Sequence, residues 1–353
     1  VKTARGRFSG LLRWYARHKR KLPWRDHPDP YQVWLSELML QQTQVQTVVP
    51  YFELFIEHLP DVDAVANATE QEVLALWSGL GYYRRARSFH AAARTIVFEL
   101  GGRFPEDVAG WLRLPGVGRY TAGAIVSIAF GVRAPILDGN VARVLSRVCE
   151  VYGNPRKGES KRRLWELAAE ILPDRSISEF NQALMELGAL VCVPRNPRCV
   201  ICPLRDTCAA KRLGLEQTLP ELPPPKKSVR VTLAAAIIEE KGKLLVYRRE
   251  GVELMKNMWE FPEAECGDGE DPCAALAREA QEKYGLDLTP GRELAKVKHS
   301  IMNRRIVLRA YAAKLERRPP RIGKRKWVSP EELLNLPTSS MIHKVLGKLN
   351  PDG

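Results

Sequence analysis

The spacing of apolar residues changes character near residue 228. Before it, apolar positions recur every three or four residues, the period of helices that bury one face; beyond it, short runs read as strands. Phe8–His18 predicts an amphipathic helix ending in a basic cluster, Arg17 to Lys21, and Leu22-Pro23-Trp24-Arg25 interrupts the pattern. Asp29-Pro30 opens the next element, a helix predicted over Tyr31–Val49. Val33, Trp34, Leu38 and Val45 lie near one face of it, and Pro50 ends or kinks it. Residues 51–100 predict further helices, with Asn67 to Glu72 as an N-terminal cap region. Arg119–Phe130 is strongly helical and is stopped by Gly131. A loop containing Pro135 follows, and Asp138-Gly139-Asn140 starts a helix that runs to Glu150. Asn154–Arg163 reads as a polar connection, and Leu164–Ile171 and Glu179–Leu190 as helices.

The stretch PELPPPKK, Pro220 to Lys227, is proline-rich, stiff and extended, as a linker would be. After it, Val229–Ile238 and Lys243–Arg248 predict strands around the turn Glu240-Lys241-Gly242. Ala274–Lys283 predicts a helix, with strands near Leu294–Val297 and Ile306–Ala312. The organisation expected is a helical domain over 1–219, a linker over 220–228 and an α+β domain over 229–353.

Composition narrows the partners. The chain has 353 residues, 45% hydrophobic and 27% charged, which is ordinary for a globular protein with buried cores. Its formal charge of +14 points to an anionic partner. No apolar run reaches the length of a membrane span, so no membrane association is expected. Seven cysteines, four of them crowded together, favour a metal site in a reducing compartment over a disulfide framework.

Several stretches carry candidate chemistry. Glu37 sits among Leu35, Leu38 and Met39, and a carboxyl in apolar surroundings holds its proton more tightly, as a general acid must. Leu114-Pro115-Gly116-Val117-Gly118 predicts a tight hairpin that leaves main-chain N–H groups uncovered at a helix N-terminus, a ready phosphate site. Asp138 reads as the N-cap of the following helix, a position that also keeps a carboxylate ionised. Leu76 to Arg87, with paired glycines, Tyr82, Tyr83 and three arginines, suits phosphate contact and base stacking. Cys192, Cys199, Cys202 and Cys208 have a spacing that fits either zinc or an iron–sulfur cluster.

In their order along the chain, these motifs resemble the endonuclease III superfamily of helix-hairpin-helix DNA glycosylases, and within it the MutY family of adenine DNA glycosylases. The resemblance implies an all-α helix-hairpin-helix domain with a 4Fe–4S loop at residues 192–208, ligated by Cys192, Cys199, Cys202 and Cys208. It implies that Glu37, in a stretch similar to the family's SE-x-MLQQT, protonates adenine. Asp138 would stabilise or trap the sugar cation, with Tyr120 and Asn140 orienting Asp138 and the water. Bifunctional relatives carry a Schiff-base lysine at the position of Tyr120, and a phenol cannot form an imine. Gln42 would wedge into the base stack, Thr43 touch the opposite base, and Tyr82, on a loop with Leu80, insert beside the orphaned base. Gly116 and Gly118 would hold a phosphate, and Trp24, Arg25 and Gln182 would form the adenine pocket.

The C-terminal half resembles a Nudix domain, the fold of the 8-oxo-dGTP hydrolase MutT. Its box runs from Glu270 through Arg278-Glu279-Ala280-Gln281-Glu282-Lys283-Tyr284-Gly285-Leu286, with Ala264 where a glycine is expected and Lys283 where a glutamate is. A lysine among would-be Mg²⁺ ligands repels the cation, so no pyrophosphatase activity is expected. In the family this domain reads 8-oxoguanine with Phe-Ser-His; here Ile301, Met302 and Asn303 occupy those positions, and Ser300 or Asn303 would supply the contacts. Leu254 to Pro262 resembles the corresponding family segment.

The expectation is a monofunctional adenine glycosylase acting on adenine opposite 8-oxoguanine or guanine in double-stranded DNA, as a monomer in the bacterial cytoplasm at the nucleoid. Two alternatives are a mismatch glycosylase removing another base, such as thymine opposite guanine, and a non-catalytic DNA-damage binder.

Overall fold

The structure is a computed structural model that describes residues 3–26, 29–224, 227–250, 255–317 and 325–349. It divides into two units: Val1–Asn67 with Ser88–Pro224, and Ala68–Arg87 with Pro225–Gly353.

The first unit is helical. Asp29 caps the helix Pro30–Leu40 by accepting from the backbone N–H groups of Tyr31 (2.9 Å) and Gln32 (3.1 Å). Every residue from Val33 to Met39 is buried, so this is a core helix rather than an amphipathic one. It packs on Arg119–Ala129, which in turn packs on Ile177–Leu190, and that helix also meets Leu11–His18 and Gly139–Val148. An aromatic cluster anchors the first of these helices: the Trp34 ring lies tilted 4.3 Å from Phe89 and edge-on 5.4 Å from Trp111, and Phe55 lies 5.9 Å from Phe89.

Three expectations for this unit change. The helix predicted over Tyr31–Val49 is broken, because Gln42 takes φ +60 and Gln44 is extended before a new helix, Val45–His58. Pro50 lies inside that new helix and does not end it. The connection predicted over Asn154–Arg163 is largely helical, the observed helix being Gly158–Glu170.

The second unit is α+β. Thr69 and Glu72 form the reciprocal cap of the helix Glu70–Leu76, in the region expected from sequence. Strands β1 (Val229–Ile237), β2 (Glu239–Glu240), β3 (Lys243–Arg248), β4 (Trp259–Glu260), β5 (Glu263–Cys266), β6 (Leu288–Ile301), β7 (Arg304–Leu315) and β8 (Arg325–Val328) form two sheets. One has the order β5-β1-β7-β6, with β1 and β7 parallel; the other has β2-β3-β4 with β8 beside β3. Alternation along β1 feeds two cores. Val231, Leu233, Ala235 and Ile237 pack with Phe261, Leu308 and Val345, while Ala234 and Ala236 pack with Leu276 and Tyr311.

Segment 68–87 belongs to this unit by packing, although the division drawn along the chain kept it with the helices. The carbonyl of Thr338 accepts from the hydroxyls of Ser78 (2.7 Å) and Tyr83 (3.0 Å), and the Trp259 indole donates to Gln71 (3.2 Å). Residues 225 and 226, within the expected linker, and Leu254, at the start of the expected family segment, lie outside the described residues.

Candidate active site

A cavity of about 530 Å³ opens in the helical unit, within the size range of small-molecule sites. Glu37, Tyr120, Asp138, Asn140, Trp24, Arg25, Gln182, Gln42 and Thr43 all line it. Residues from segments more than a hundred positions apart therefore converge on one space, and the two candidate acids share it.

Glu37 is 6% exposed. Burial raises its pKa to about 7; the charge of Asp138 adds to the rise, while the Tyr120 hydrogen bond and Arg25 oppose it. The Tyr120 hydroxyl donates to the Glu37 carboxylate and lies 3.3 Å from Met185 Sδ, and burial and the nearby acids push this phenol well above its usual range. Tyr120 was expected to orient Asp138; its hydroxyl instead donates to Glu37, because the helix Arg119–Ala129 is packed on the helix that carries that acid.

Asp138 caps the helix Gly139–Val148, as read from the sequence. It accepts from the backbone N–H of Val141 (2.7 Å) and from Asn140 Nδ2 (3.1 Å). Burial raises its proton affinity, against these hydrogen bonds and the charge of Arg143. Arg143 joins this cap to the cysteine loop: it donates to Asn140 Oδ1 (2.8 Å) and to the carbonyl of Cys192 (2.6 Å). Asn140 thus donates to Asp138 and accepts from Arg143.

The hairpin precedes helix Arg119–Ala129 directly. Gly116 takes φ +75, and a Cβ there would lie 2.3 Å from Ser88 Cβ, so only glycine fits. Gly118 has φ −97 with open space around it; its backbone is not the sharp turn expected, and no side chain caps the helix it begins.

The cysteines of the expected cluster loop are free and half-buried. Burial raises Cys202 to about 12, and Cys192, Cys199 and Cys208 raise it further as neighbouring charges. Among the described residues, no three His, Cys, Asp or Glu side chains are close enough to hold a single ion. Cys192, Cys199 and Cys208 are near enough to Cys202 to act on it as charges, and four thiols gathered in this way are the donor set an iron–sulfur cluster takes. Arg147, 2% exposed, braces the loop by donating to Cys192 Sγ (3.3 Å) and to the carbonyls of Val193 (2.8 Å), Pro194 (3.0 Å) and Leu219 (2.8 Å).

The remaining assigned residues lie in the second unit. Tyr82 is 44% exposed, with φ +50 and Arg85 over its ring, whereas Leu80 is buried at 6%. Leu80 is therefore a packing residue, and Tyr82 is the part of that loop that faces outward. The stretch from His299 is not the loop expected but a strand pair closed by a two-residue turn, Met302-Asn303. Its Ser300 hydroxyl accepts from Arg305 (3.1 Å), Asn303 donates to the Lys227 carbonyl (3.1 Å), and Met302 is 80% exposed. In the Nudix-like box, Glu270 and Glu279 pair with Arg278, and Glu279 with Lys283.

Sequence reasoning missed Arg20, Arg143, Met185 and Glu186, all of which line the cavity. Glu186 carried a readable signal: it is the one polar side chain in the stretch Ala183-Leu184-Met185-Glu186-Leu187-Gly188-Ala189-Leu190.

Comparison with known proteins places these features in a family. Residues 35–170 match the HhH-GPD superfamily base excision DNA repair proteins, residues 192–208 the iron-sulfur binding domain of endonuclease III, and residues 233–348 the NUDIX domain. The adenine DNA glycosylase of Homo sapiens is 36% identical over 95% of this chain and 72% of its own length. That of Buchnera aphidicola (subsp. Baizongia pistaciae) is 38% identical over 72% of this chain and 73% of its own. A thermostable thymine-DNA glycosylase structure covers 60% of this chain and 97% of its own, at 30% identity and TM-score 0.55. A trapped endonuclease III–DNA intermediate, 21% identical with TM-score 0.52 over 61% of this chain and its whole length, shares the fold. With the acid pair in one cavity and the cysteines fitted to a 4Fe–4S cluster, the chain belongs to the adenine DNA glycosylase family, a helix-hairpin-helix glycosylase joined to a Nudix-like half.

Proposed function

We propose that this chain hydrolyses the N-glycosidic bond of adenine opposite 8-oxoguanine or guanine in duplex DNA. The observation that carries the reading is the convergence of Glu37 and Asp138 on one cavity, each buried enough to hold its proton more tightly than in water. A base turned out of the stack, at about a few kcal/mol of lost stacking, would enter this cavity. Glu37 gives its proton to adenine, and the C–N bond breaks with its electron pair leaving on the base. Asp138, ionised and held by Asn140 and Val141, stabilises or traps the resulting sugar cation, as a carboxylate does in glycosidases. Tyr120 positions Glu37. Trp24, Arg25 and Gln182 form the base pocket, Gln42, Thr43 and Tyr82 meet the duplex, and the amides of Gly116 and Gly118 take a phosphate. The 4Fe–4S loop braces the helix behind Asp138 and presents Arg195, Arg198 and Arg205 at the surface. Ser300 and Asn303 supply contacts to the lesion once their internal partners are exchanged.

With a phenol at residue 120, we also propose that strand cutting through an imine is absent. Single-turnover release measured on A:8-oxoguanine, A:G, A:C and T:G duplexes tests both points, with borohydride trapping alongside. Fast adenine release without a trapped adduct supports the reading; release confined to thymine opposite guanine, or a borohydride-trapped adduct, overturns it. The thymine reading merits its arm of the panel because of the 30% identity to a thymine-DNA glycosylase.

A further inference from the structure

Glu186 is the most heavily engaged acid near the cavity. It lies on helix Ile177–Leu190 with its carboxylate 1% exposed. Its Oε1 accepts from Arg20 N (2.9 Å), Arg20 Nε (2.8 Å) and Arg25 Nη1 (3.3 Å). Its Oε2 accepts from Arg20 Nη2 (2.7 Å) and Arg25 Nη2 (3.0 Å). Arg25 also donates to the Arg20 carbonyl (3.0 Å) and lies over the ring of Tyr15, whose hydroxyl donates to Gln182 (3.1 Å). One buried anion thus holds two guanidiniums bidentately, 161 and 166 positions away along the chain.

We infer that Glu186 is a positioning residue for base release: it fixes Arg20 and Arg25 and cancels one of their two charges, so that a single net positive charge stands beside the acid Glu37. The inference rests on the proposed function. Tyr120, Asp138 and Arg25 act on Glu37 directly, and Arg20, Arg143 and Glu186 line the same cavity. Of these Arg25 favours its ionised form, and Glu186 is what holds Arg25 and offsets it. A purely apolar side chain at 186 would leave two cations unpaired against the cavity, a costly arrangement that this acid removes.

The test is the pH dependence of single-turnover adenine release by the full, cluster-loaded chain. Glu186→Gln keeps the shape and loses the charge, so both guanidiniums then act on Glu37 and favour its ionised form. The alkaline limb should move to lower pH by about half to one unit, a roughly three- to tenfold loss of rate above the limb. Glu186→Asp retains the charge and should restore the wild-type limb. The double variant Arg20→Gln/Glu186→Gln removes one cation with the anion and should also restore it, and it serves where the single variant fails to fold. A merely structural role would lower the active fraction at every pH and leave the limb in place; that result, or an unrestored limb in the double variant, overturns the inference. Absence of adenine release by the unaltered chain would instead overturn the function on which it rests.

Discussion

The hydroxyl of Tyr120 donates to the carboxylate of Glu37, a residue 83 positions earlier in the chain. This bond favours ionised Glu37 while burial favours its protonated form, and burial wins, leaving the acid at about 7. In the role proposed for it, Glu37 is thereby poised near neutrality, where both proton donation and regeneration are accessible.

Removing that bond gives the first prediction. Tyr120→Phe leaves the burial and deletes the donor, so Glu37 should hold its proton to higher pH. The alkaline limb of adenine release is expected to rise by about one unit, measured as the rate against pH.

Glu37 also links pH to stability. Its folded pKa is raised from 4.5 to about 7, so the stabilisation tied to its protonated form is complete below pH 4.5 and is lost as pH rises through about 7. Glu37→Gln escapes that loss. Its unfolding free energy should exceed that of the unaltered chain above pH 7, by on the order of 3 kcal/mol at most and seen as a higher melting temperature, and the difference should shrink towards pH 4. The same variant should bind duplex DNA and release no adenine.

The two hairpin glycines should behave differently. At Gly116 an alanine meets both a left-handed backbone and Ser88, so Gly116→Ala is expected to cost about 1–3 kcal/mol in denaturant unfolding and to weaken DNA binding. Gly118→Ala meets open space at an ordinary φ and should change stability by only about 0.5 kcal/mol.

Arg147 holds the ends of the cluster loop from beneath. Arg147→Leu leaves the carbonyls of Val193, Pro194 and Leu219 without this donor. Iron content per chain should fall, and stability should drop by about 2–4 kcal/mol, read by absorbance and thermal melting.

In the Nudix-like half, Glu279 is already held by Arg278 and Lys283. Incubation with Mg²⁺ and 8-oxo-dGTP is expected to yield no pyrophosphate, and Lys283→Glu should increase divalent-cation binding as seen in Mn²⁺ titration.

Much of this was legible before any coordinates. Glu37 stands in an apolar run and Asp138 before Gly139-Asn140; local pattern marks an acid in apolar surroundings and an N-cap, and only the family resemblance pairs them as a site. Other features depend on distant residues. The left-handed Gln42 that splits the predicted helix has no glycine to mark it. The partners of Glu186 lie too far along the chain for any period to connect them. The strand limits near Met302 are not marked in the sequence, because β6 and β7 continue through polar, charged positions such as Lys298, Ser300, Arg304 and Arg305.

The carbonyl of Thr338 is a shared seat for Ser78 and Tyr83, 260 and 255 positions upstream. Cutting the chain at its proline-rich stretch is therefore no clean amputation. A shortened protein would take the Thr338 acceptor away from Ser78 and Tyr83 and unmoor the turn that displays Tyr82, so any loss of DNA binding would report a displaced turn as much as a missing domain.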